Sequence, residues 1–271
     1  QLINFAHGDL FMLGTLFSAF LITTVLGQTA SGPTGWAIAL LTLVAAMAFC
    51  STINVTIEFL AYRRLRRAPK LAPLITAVGM SFILQWIGQQ WNGSQQKSWT
   101  TVMPKGGFHL GGVGIDYSFL IVLAVTVPML LVMSWLVTYT KQGRAMRATA
   151  QDQDAARLMG IDVNRTISFT FALGGALAGA AGVMYQQTIA TTRFDLGFQL
   201  GLVAFTAAVL GGIGNLTGAV LGGFLIGVIQ GLNDGAPHGL GQQWSQTAMF
   251  GILILLIVFR PDGLLGRATG E

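Results

Sequence analysis

Charged side chains are scarce in this chain of 271 residues. Asp, Glu, Lys and Arg together make up 9% of the sequence, hydrophobic residues make up 53%, and the mean hydropathy is +0.65. Because a soluble domain carries roughly 25% charged residues, this chain has too few polar groups to cover a water-facing globule of its size. The composition therefore excludes an ordinary cytosolic enzyme.

Cysteine and proline are scarce as well. The single cysteine, Cys50, lies in an apolar run and cannot form an intrachain disulfide, so we expect a small buried side chain. Glycine, by contrast, accounts for 36 residues, yet only seven prolines and no Gly-X-Y period accompany it, which excludes collagen and disordered linkers. Abundant glycine in apolar sequence is typical of transmembrane helices, whose backbones approach closely at small residues.

Motifs for nucleotide binding and metal chemistry are missing. No Gly-Lys-Ser or Gly-Lys-Thr sequence occurs, which excludes a Walker A phosphate loop. No His-Glu-x-x-His pair occurs either, and His7, His109 and His238 lie at span edges or in loops, so we expect neither a metal site nor catalytic residues. The glycine-rich stretch 211–218 lacks a lysine, which favours helix packing over phosphate binding.

Long apolar stretches predict an all-α, polytopic integral membrane protein with about eight transmembrane helices in a single domain, 1–271. A bilayer core of about 30 Å needs about 20 helical residues, and most of the stretches are long enough. The stretch 198–212 is short, so it and its successor are expected to form either a tight helical hairpin or a broken helix that lines a cavity. The predicted spans are about 10–27, 35–57, 71–92, 118–138, 166–187, 198–212, 216–233 and 246–259.

Basic residues are distributed unevenly between the loops. Twelve Lys and Arg residues follow the second, fourth and last spans, whereas only Lys97, Lys105 and Arg193 occupy the alternate loops. Because positive loops stay in the cytoplasm, this bias places both basic loops and the C-terminus there. The net charge of +5 therefore records topology, and no nucleic-acid partner is needed to explain it.

The first span lacks the positive n-region of a signal peptide, because residues 1–9 contain no Lys or Arg. We interpret it as a span of the mature protein. The chain opens at Gln1 rather than Met, and we expect the natural protein to continue upstream with a further helix.

Ionisable residues are missing from all eight predicted spans. Ion-coupled transporters usually hold such a residue near mid-membrane, so the pattern argues against a secondary transporter. Glu58 is the nearest candidate, but it follows the second span beside Arg63, where we expect an interfacial ion pair.

The loop 139–165 is the longest predicted cytoplasmic segment. Alanine, leucine and methionine alternate with charged residues, and no Pro or Gly occurs between 144 and 159, which favours a helix. Such a helix could lie on the membrane surface or dock a soluble partner; a solvated connector is the third alternative.

Several stretches carry a family resemblance. DAARLMG from Asp154 resembles the EAA-x-x-x-G loop of binding-protein-dependent ABC importer permeases, with Asp in place of Glu and without the downstream Ile-x-Leu-Pro. The following stretches, in the expected order, resemble the branched-chain amino acid ABC transporter permeases: INFAHGDL from Ile3, EFLAYRRLRRAPKLAPLITAVGMSFILQ from Glu58, RATAQDQDAARLMGIDVNR from Arg147 and AFTAAVLGGIGNLTGAVLGGFLIG from Ala204. Val203 stands where we expect members of this family often to carry Lys, which keeps the urea and amide permeases that share the pattern as alternatives.

The resemblance implies a non-catalytic permease subunit of the bacterial cytoplasmic (inner) membrane, without cofactors of its own. The implied partners are a second homologous permease, two cytoplasmic ABC ATPase subunits that bind ATP, and a periplasmic or extracellular substrate-binding protein. ATP-driven closure of the ATPases would move a coupling helix in the loop 139–165. The permeases would then switch between outward-open and inward-open states.

The resemblance also assigns roles within this loop. The predicted ATPase-coupling residues are Asp154, Ala155, Ala156, Arg157 and Gly160. The two alanines would allow close approach, Arg157 would pair with an acidic residue of the partner, and Gly160 would end the helix in a left-handed cap.

Polar residues near or within spans are the candidates for the substrate pathway, although each is more often a helix-to-helix hydrogen bond. An ATP-independent channel or facilitator would use the same glycine packing without needing a coupling loop, and it is the alternative of another class. The pathway candidates are Asn4, His7, Asn54, Thr76, Ser81, Gln85, Thr206 and Asn215, and the predicted helix-packing glycines are Gly174, Gly175, Gly179, Gly214, Gly218 and Gly222.

Overall fold

The computed structural model describes residues 6–25, 33–66, 68–69, 71–99, 101–102, 106–110, 113–212, 214–235, 241–259 and 263–266. Most of these residues are helical. Contacts divide the chain into two compact units, Gln1–Phe198 and Gln199–Glu271.

The first unit holds seven helices and four short strands. In chain order they are α1 (Ala6–Phe20), extended by a π-helical turn (Leu21–Val25), α2 (Pro33–Ile57), extended by a π-helical turn (Glu58–Tyr62) and a 3-10 turn (Arg63–Leu65), α3 (Leu71–Asn92), β1 (Lys97–Ser98), β2 (Gly107–Leu110), β3 (Val113–Asp116), α4 (Tyr117–Tyr139), α5 (Lys141–Gln151), α6 (Gln153–Leu158), α7 (Val163–Ile189) and β4 (Thr191–Thr192). Helix α8 (Leu196–Gly211) begins at the boundary, and α9 (Leu216–Gly235) and α10 (Gln242–Phe259) complete the second unit.

The apolar helices confirm the predicted all-α membrane architecture. Among the residues that the structure describes, six helices are long and apolar enough to cross a bilayer, and two shorter apolar segments, Leu196–Gly211 and Trp244–Leu255, account for the remaining predicted spans. The expectation that the spans lack ionisable residues needs correction, because the candidate span Ala6–Thr24 contains Asp9 and the candidate span Gly35–Leu65 contains Glu58, both fully buried. The hydroxyl of Ser81 on α3 donates a hydrogen bond to Oδ2 of the Asp9 carboxyl, whereas Oδ1 is buried without a hydrogen-bond partner among the described residues.

Helix α7 packs backbone to backbone against α1 and α2. A Cβ atom at Gly175 would lie 2.5 Å from the carbonyl oxygen of Cys50 on α2, and one at Gly182 would lie 2.6 Å from that of Phe11 on α1. Gly179 lies equally close to the α2 backbone at Ala46. The absence of side chains at these positions is what lets the three helices approach.

Two antiparallel strand pairs lie at one end of the first unit. Lys97 of β1 pairs with Thr192 of β4, and β2 and β3 form a hairpin in which Phe108 faces Ile115. The β1–β4 pair joins the loop after α3 to the loop after α7. These two loops must lie on the same side of a membrane if each apolar helix crosses it once.

Helices α8 and α9 form a tight hairpin. The backbone of Gly218 packs against that of Gly211, and Gly222 packs against Ala207. The connecting turn contains Gly214, whose φ is +95°. Of the two predicted arrangements for this region, the structure therefore has the hairpin rather than a broken helix.

Candidate functional site

The junction between α4 and α5 is fixed by hydrogen bonds and packing between the end of α4 and the start of α5. The Thr140 hydroxyl oxygen accepts a hydrogen bond from the Gly143 amide at 3.0 Å, and Gly143 is packed against the last carbonyls of α4. The Arg147 guanidinium donates to the carbonyl oxygens of Val137 and Thr138, the latter at 3.3 Å. The last carbonyls of a helix lack partners within it and form its negative end, so Arg147 caps α4 and holds α5 in place.

Asp152 separates α5 from α6. Its carboxylate oxygen accepts hydrogen bonds from the amides of Asp154 at 2.8 Å and Ala155 at 3.1 Å. A side chain that satisfies the free amides at a helix start defines an N-cap. The predicted continuous helix is therefore two helices, α5 and the six-residue α6.

Gly160 ends α6 in the left-handed conformation, as predicted, with φ +81°. The Gly160 amide donates to the Arg157 carbonyl and the Ile161 amide donates to the Ala156 carbonyl, both at 3.0 Å. These two bonds form a Schellman motif, which satisfies carbonyls that would otherwise lack a partner.

The side chains of α6 divide into an inward and an outward set. Ala156 is 3% exposed, whereas Ala155 is exposed, so only Ala155 is open to a partner in this conformation. Arg157 donates to the Asp154 carboxylate at 2.7 Å, and both side chains face solvent. The positive charge predicted to meet a partner is therefore paired within the helix.

Leu158 and Met159 are the site residues that the sequence pattern did not single out. They are 89% and 82% exposed although both are large and apolar. At 100° per residue, position 158 lies 200° around the helix from position 156. Once Ala156 is known to face inward, the outward direction of Leu158 follows, but the sequence alone does not show which alanine is buried.

A groove of about 460 Å³ lies between α5 and α6. Small side chains such as Ala145, Ala148 and Ala156 line it, together with Arg144 and Asp152. It adjoins the exposed residues of α6, and its small apolar floor with charged edges could receive one side chain of a partner.

Four of the pathway candidates on α1, α2 and α3 form two separate groups. His7 and Asn54 both flank Gly174, where a Cβ atom would lie 3.5 Å from the His7 ring and 3.7 Å from the Asn54 amide nitrogen. That nitrogen donates to the Phe171 carbonyl at 2.6 Å. Ser81 and Gln85 instead gather at Asp9, with the Gln85 amide donating to the Ser81 hydroxyl at 3.1 Å.

The remaining candidates do not converge on a common site. Thr76 and Thr206 each bond to the carbonyl four residues earlier in their own helix, both at 2.9 Å. The Asn215 side chain accepts from the Gly218 amide at the start of α9 and donates to the Leu265 carbonyl. Asn4 lies outside the described residues.

The glycines predicted for helix packing also differ in their surroundings. Gly175, Gly179, Gly218 and Gly222 lie against the backbone of a neighbouring helix. Gly174 has only the ordinary van der Waals contacts to His7 and Asn54 noted above. Gly214 lies in the turn before α9, where its positive φ shapes the chain.

A cavity of about 730 Å³ lies between α4 and α7 in the first unit. Aliphatic and methionine side chains such as Val122, Met129, Leu177 and Met184 line most of it, and Asp116 lies on its edge. None of the seven described pathway candidates lines this cavity. The pathway candidates are polar residues, so they could not point to this cavity, whose lining is mostly apolar. No group of three His, Cys, Asp or Glu side chains suited to a metal ion occurs among the residues whose structure is given.

Comparison with known proteins gives consistent matches over the full chain. Residues 1–258 match the family model for the permease component of branched-chain amino acid transport systems. The chain is 37% identical over 275 residues to the high-affinity branched-chain amino acid transport system permease protein BraD of Pseudomonas aeruginosa, which covers 100% of this chain and 88% of BraD.

Two further relatives match over different lengths. The corresponding protein LivH of Escherichia coli (strain K12) is 34% identical over 100% of this chain and 87% of its own length. The autoinducer 2 import system permease protein LsrC of Enterobacter sp. (strain 638) is 29% identical over 59% of this chain and 46% of its own length. No solved structure matches the chain significantly.

Proposed function

The chain belongs to the family of permease components of branched-chain amino acid transport systems, and from this we propose that it forms part of the membrane pathway for leucine, isoleucine or valine. The observation that carries the proposal is the match to BraD over 100% of this chain. The apolar helices of both units provide the membrane-spanning part that such a subunit requires.

Branched-chain amino acids are the proposed substrates rather than urea or amides. The relatives that cover all of this chain are named for branched-chain amino acid transport, whereas the autoinducer 2 permease covers 59% of it. An apolar lining such as that of the cavity between α4 and α7 suits aliphatic side chains. The polar pathway candidates remain a prediction.

Energy for transport is proposed to come from partner ATPases. The chain contains no Walker A sequence, and its family is that of the permease components of branched-chain amino acid transport systems. A second homologous permease, two ABC ATPase subunits and an external substrate-binding protein would complete the transporter. The chain itself is the non-catalytic subunit, and ATP is bound by its partners.

Helix α6 is the proposed contact with an ATPase subunit. Exposed Leu158 and Met159 provide apolar surface for a cleft in the partner, because burying one such side chain contributes about 1.5–3 kcal/mol. Asp154, Ala155 and Arg157 are also exposed on the same helix. Ala156 is buried and anchors the helix to its neighbours, and Gly160 forms the left-handed cap at its end.

The orientation proposed from the charge distribution places α5, α6 and the C-terminus in the bacterial cytoplasm. Arg66 at the end of α2 donates a hydrogen bond to Asn164 at the start of α7. The two basic loops therefore meet at one end of the first unit. They precede α3 and α7, whereas the paired strands β1 and β4 follow these two helices. Positive loops favour the cytoplasmic side.

Co-purification tests the assembly. A tagged chain, expressed in a host membrane together with the ATPase and second permease subunits of one such system, should retain both on an affinity column. Retention of the permease pair without an ATPase, with transport that persists without ATP, would instead indicate a channel or facilitator.

A further inference from the structure

Glu58 lies at the centre of a side-chain cluster that joins α2 to α7, and we propose that it is a positioning residue for transport. Resting on the proposed function, the inference is that this cluster makes the end of α2 follow α7 when the ATPases move α6. The cluster consists of Glu58, Arg63 and Arg66 after α2, and Asn164 and Ser168 on α7.

The Glu58 carboxylate is fully buried and has partners at both oxygens. Oε1 accepts a hydrogen bond from Arg66 and lies 3.6 Å from Nε of Arg63. Oε2 accepts from the Ser168 hydroxyl at 2.6 Å. The ion pair of Glu58 with Arg63 expected from the sequence is therefore present, as part of a larger cluster, while its position at the membrane interface stays a prediction.

Two further bonds connect the same arginines to α7. Arg66 donates to the Asn164 side-chain oxygen at 2.5 Å, and Arg63 donates to the Ser168 hydroxyl at 3.1 Å. The two α7 partners lie one turn apart, at i and i+4, and so present one face of the helix to the arginines. This face is the first part of α7 after α6.

The link from α6 to α7 is short and internally bonded. After the Gly160 cap only Ile161 and Asp162 precede α7, and the Asp162 carboxylate accepts from the Arg165 amide at 3.1 Å as the N-cap. A displacement of α6 would reach the first turn of α7 through only two residues, because hydrogen bonds close both the end of α6 and the start of α7.

The buried carboxylate makes separation of α2 from α7 at this end costly. The counter-ions Arg63 and Arg66 would stay with Glu58, so separation breaks the hydrogen bond from Ser168 to the carboxylate and the bond from Arg66 to Asn164, and a buried charged group that loses a hydrogen bond costs free energy. Further along the same two helices, Gly175 and Gly179 pack against the α2 backbone at Cys50 and Ala46. Helices α2 and α7 thus contact each other at three positions along their length, and the contact at Glu58 is the one closest to α6.

The sharpest test removes the α7 side of the cluster and leaves the charges paired. In the double variant Ser168→Ala, Asn164→Ala, Glu58 keeps Arg63 and Arg66, so no buried charge loses its counter-ion. The assembled transporter, with its ATPases and binding protein, is reconstituted in vesicles, and ATP hydrolysis and leucine uptake are measured on the same preparation.

We expect ATP hydrolysis within twofold of the unmodified complex and at least a fivefold rise in ATP hydrolysed per leucine transported. Ser168→Thr, which keeps the hydroxyl, should retain the original ratio. Asp195→Asn is the matched control, because it breaks the exposed ion pair with Arg193 far from α6 in the chain, and its ratio should also be unchanged.

An unchanged ratio in the double variant, or an equal fall in hydrolysis and uptake, would overturn the positioning role. The unmodified complex is assayed alongside, so that a failure of the proposed function can be told apart from a failure of the positioning role of Glu58. If that complex takes up leucine only with ATP while the double variant keeps its ratio, the inference about Glu58 alone is wrong. If the unmodified complex shows no ATP-dependent uptake, the proposed function is wrong and the inference falls with it.

Discussion

Gly175 of α7 packs directly on the backbone of Cys50 in α2, so that a Cβ atom at position 175 would lie 2.5 Å from the Cys50 carbonyl oxygen. Real Cβ atoms do not approach an oxygen so closely. Contact between the two helices therefore depends on the missing side chain, and the backbone would have to move to admit even one methyl group.

Gly175→Ala should destabilise the first unit by about 1–3 kcal/mol, the usual cost of overpacking a tight contact. Thermal unfolding of the purified chain in detergent measures this effect. Gly227→Ala on α9 is the matched control, because no described atom lies within 4 Å of a Cβ atom built there. The explanation fails if both variants unfold at the same temperature.

Leu158→Asp, Met159→Asp should leave the folded chain intact and weaken its binding to the ATPase. Both side chains are more than four-fifths exposed, so the change in stability should stay within about 0.5 kcal/mol. Loss of their burial in a partner should lower ATPase affinity at least tenfold, or about 1.4 kcal/mol. Affinity for the ATPase measured on the reconstituted complex checks this, and Arg165→Gln, which is also exposed and lies close to α6 in the chain, should have no such effect.

Gly160→Ala should loosen the end of α6. At φ +81° a residue with a Cβ atom costs roughly 1–2 kcal/mol, whereas Asn tolerates this conformation better. We expect hydrogen exchange at the Ile161 amide, which bonds to Ala156, to quicken about tenfold in Gly160→Ala and less in Gly160→Asn. Equal exchange in all three proteins would show that the cap does not depend on glycine.

Asp9 and Ser81 should show coupled effects on stability. The two side chains are fully or almost fully buried and bonded to each other. In a double-mutant cycle with Asp9→Asn and Ser81→Ala, we expect a coupling energy of about 1 kcal/mol, in the upper part of the range for such bonds between membrane helices. Additive effects would mean that the bond does not hold α1 to α3.

Hydropathy and local chemistry determined much of what the sequence could predict. Most of the spans could be predicted because a helix that crosses a bilayer needs about 20 predominantly apolar residues, and such long stretches are easily recognised in the sequence. The left-handed cap at Gly160 depends on a residue type and its neighbours, which are visible in the sequence.

Contacts between distant residues could not be predicted in the same way. Ser168 meets Glu58 across 110 positions of the chain, and Asp9 meets Ser81 across 72. Nothing in the periodicity of either helix identifies such a partner, because it depends on how the helices are rotated against each other. The same rotation decides that Ala156 faces inward and Leu158 outward.

Uptake of labelled leucine by sealed vesicles tests the central claim most directly. The vesicles would contain this chain with its second permease and ATPases, the binding protein would be outside, and ATP would be inside or absent. We predict that leucine accumulates above its external concentration only when both ATP and the binding protein are present. Equilibration of leucine without ATP, or no leucine uptake under any of these conditions, would contradict the assignment of this chain to an ATP-driven leucine importer.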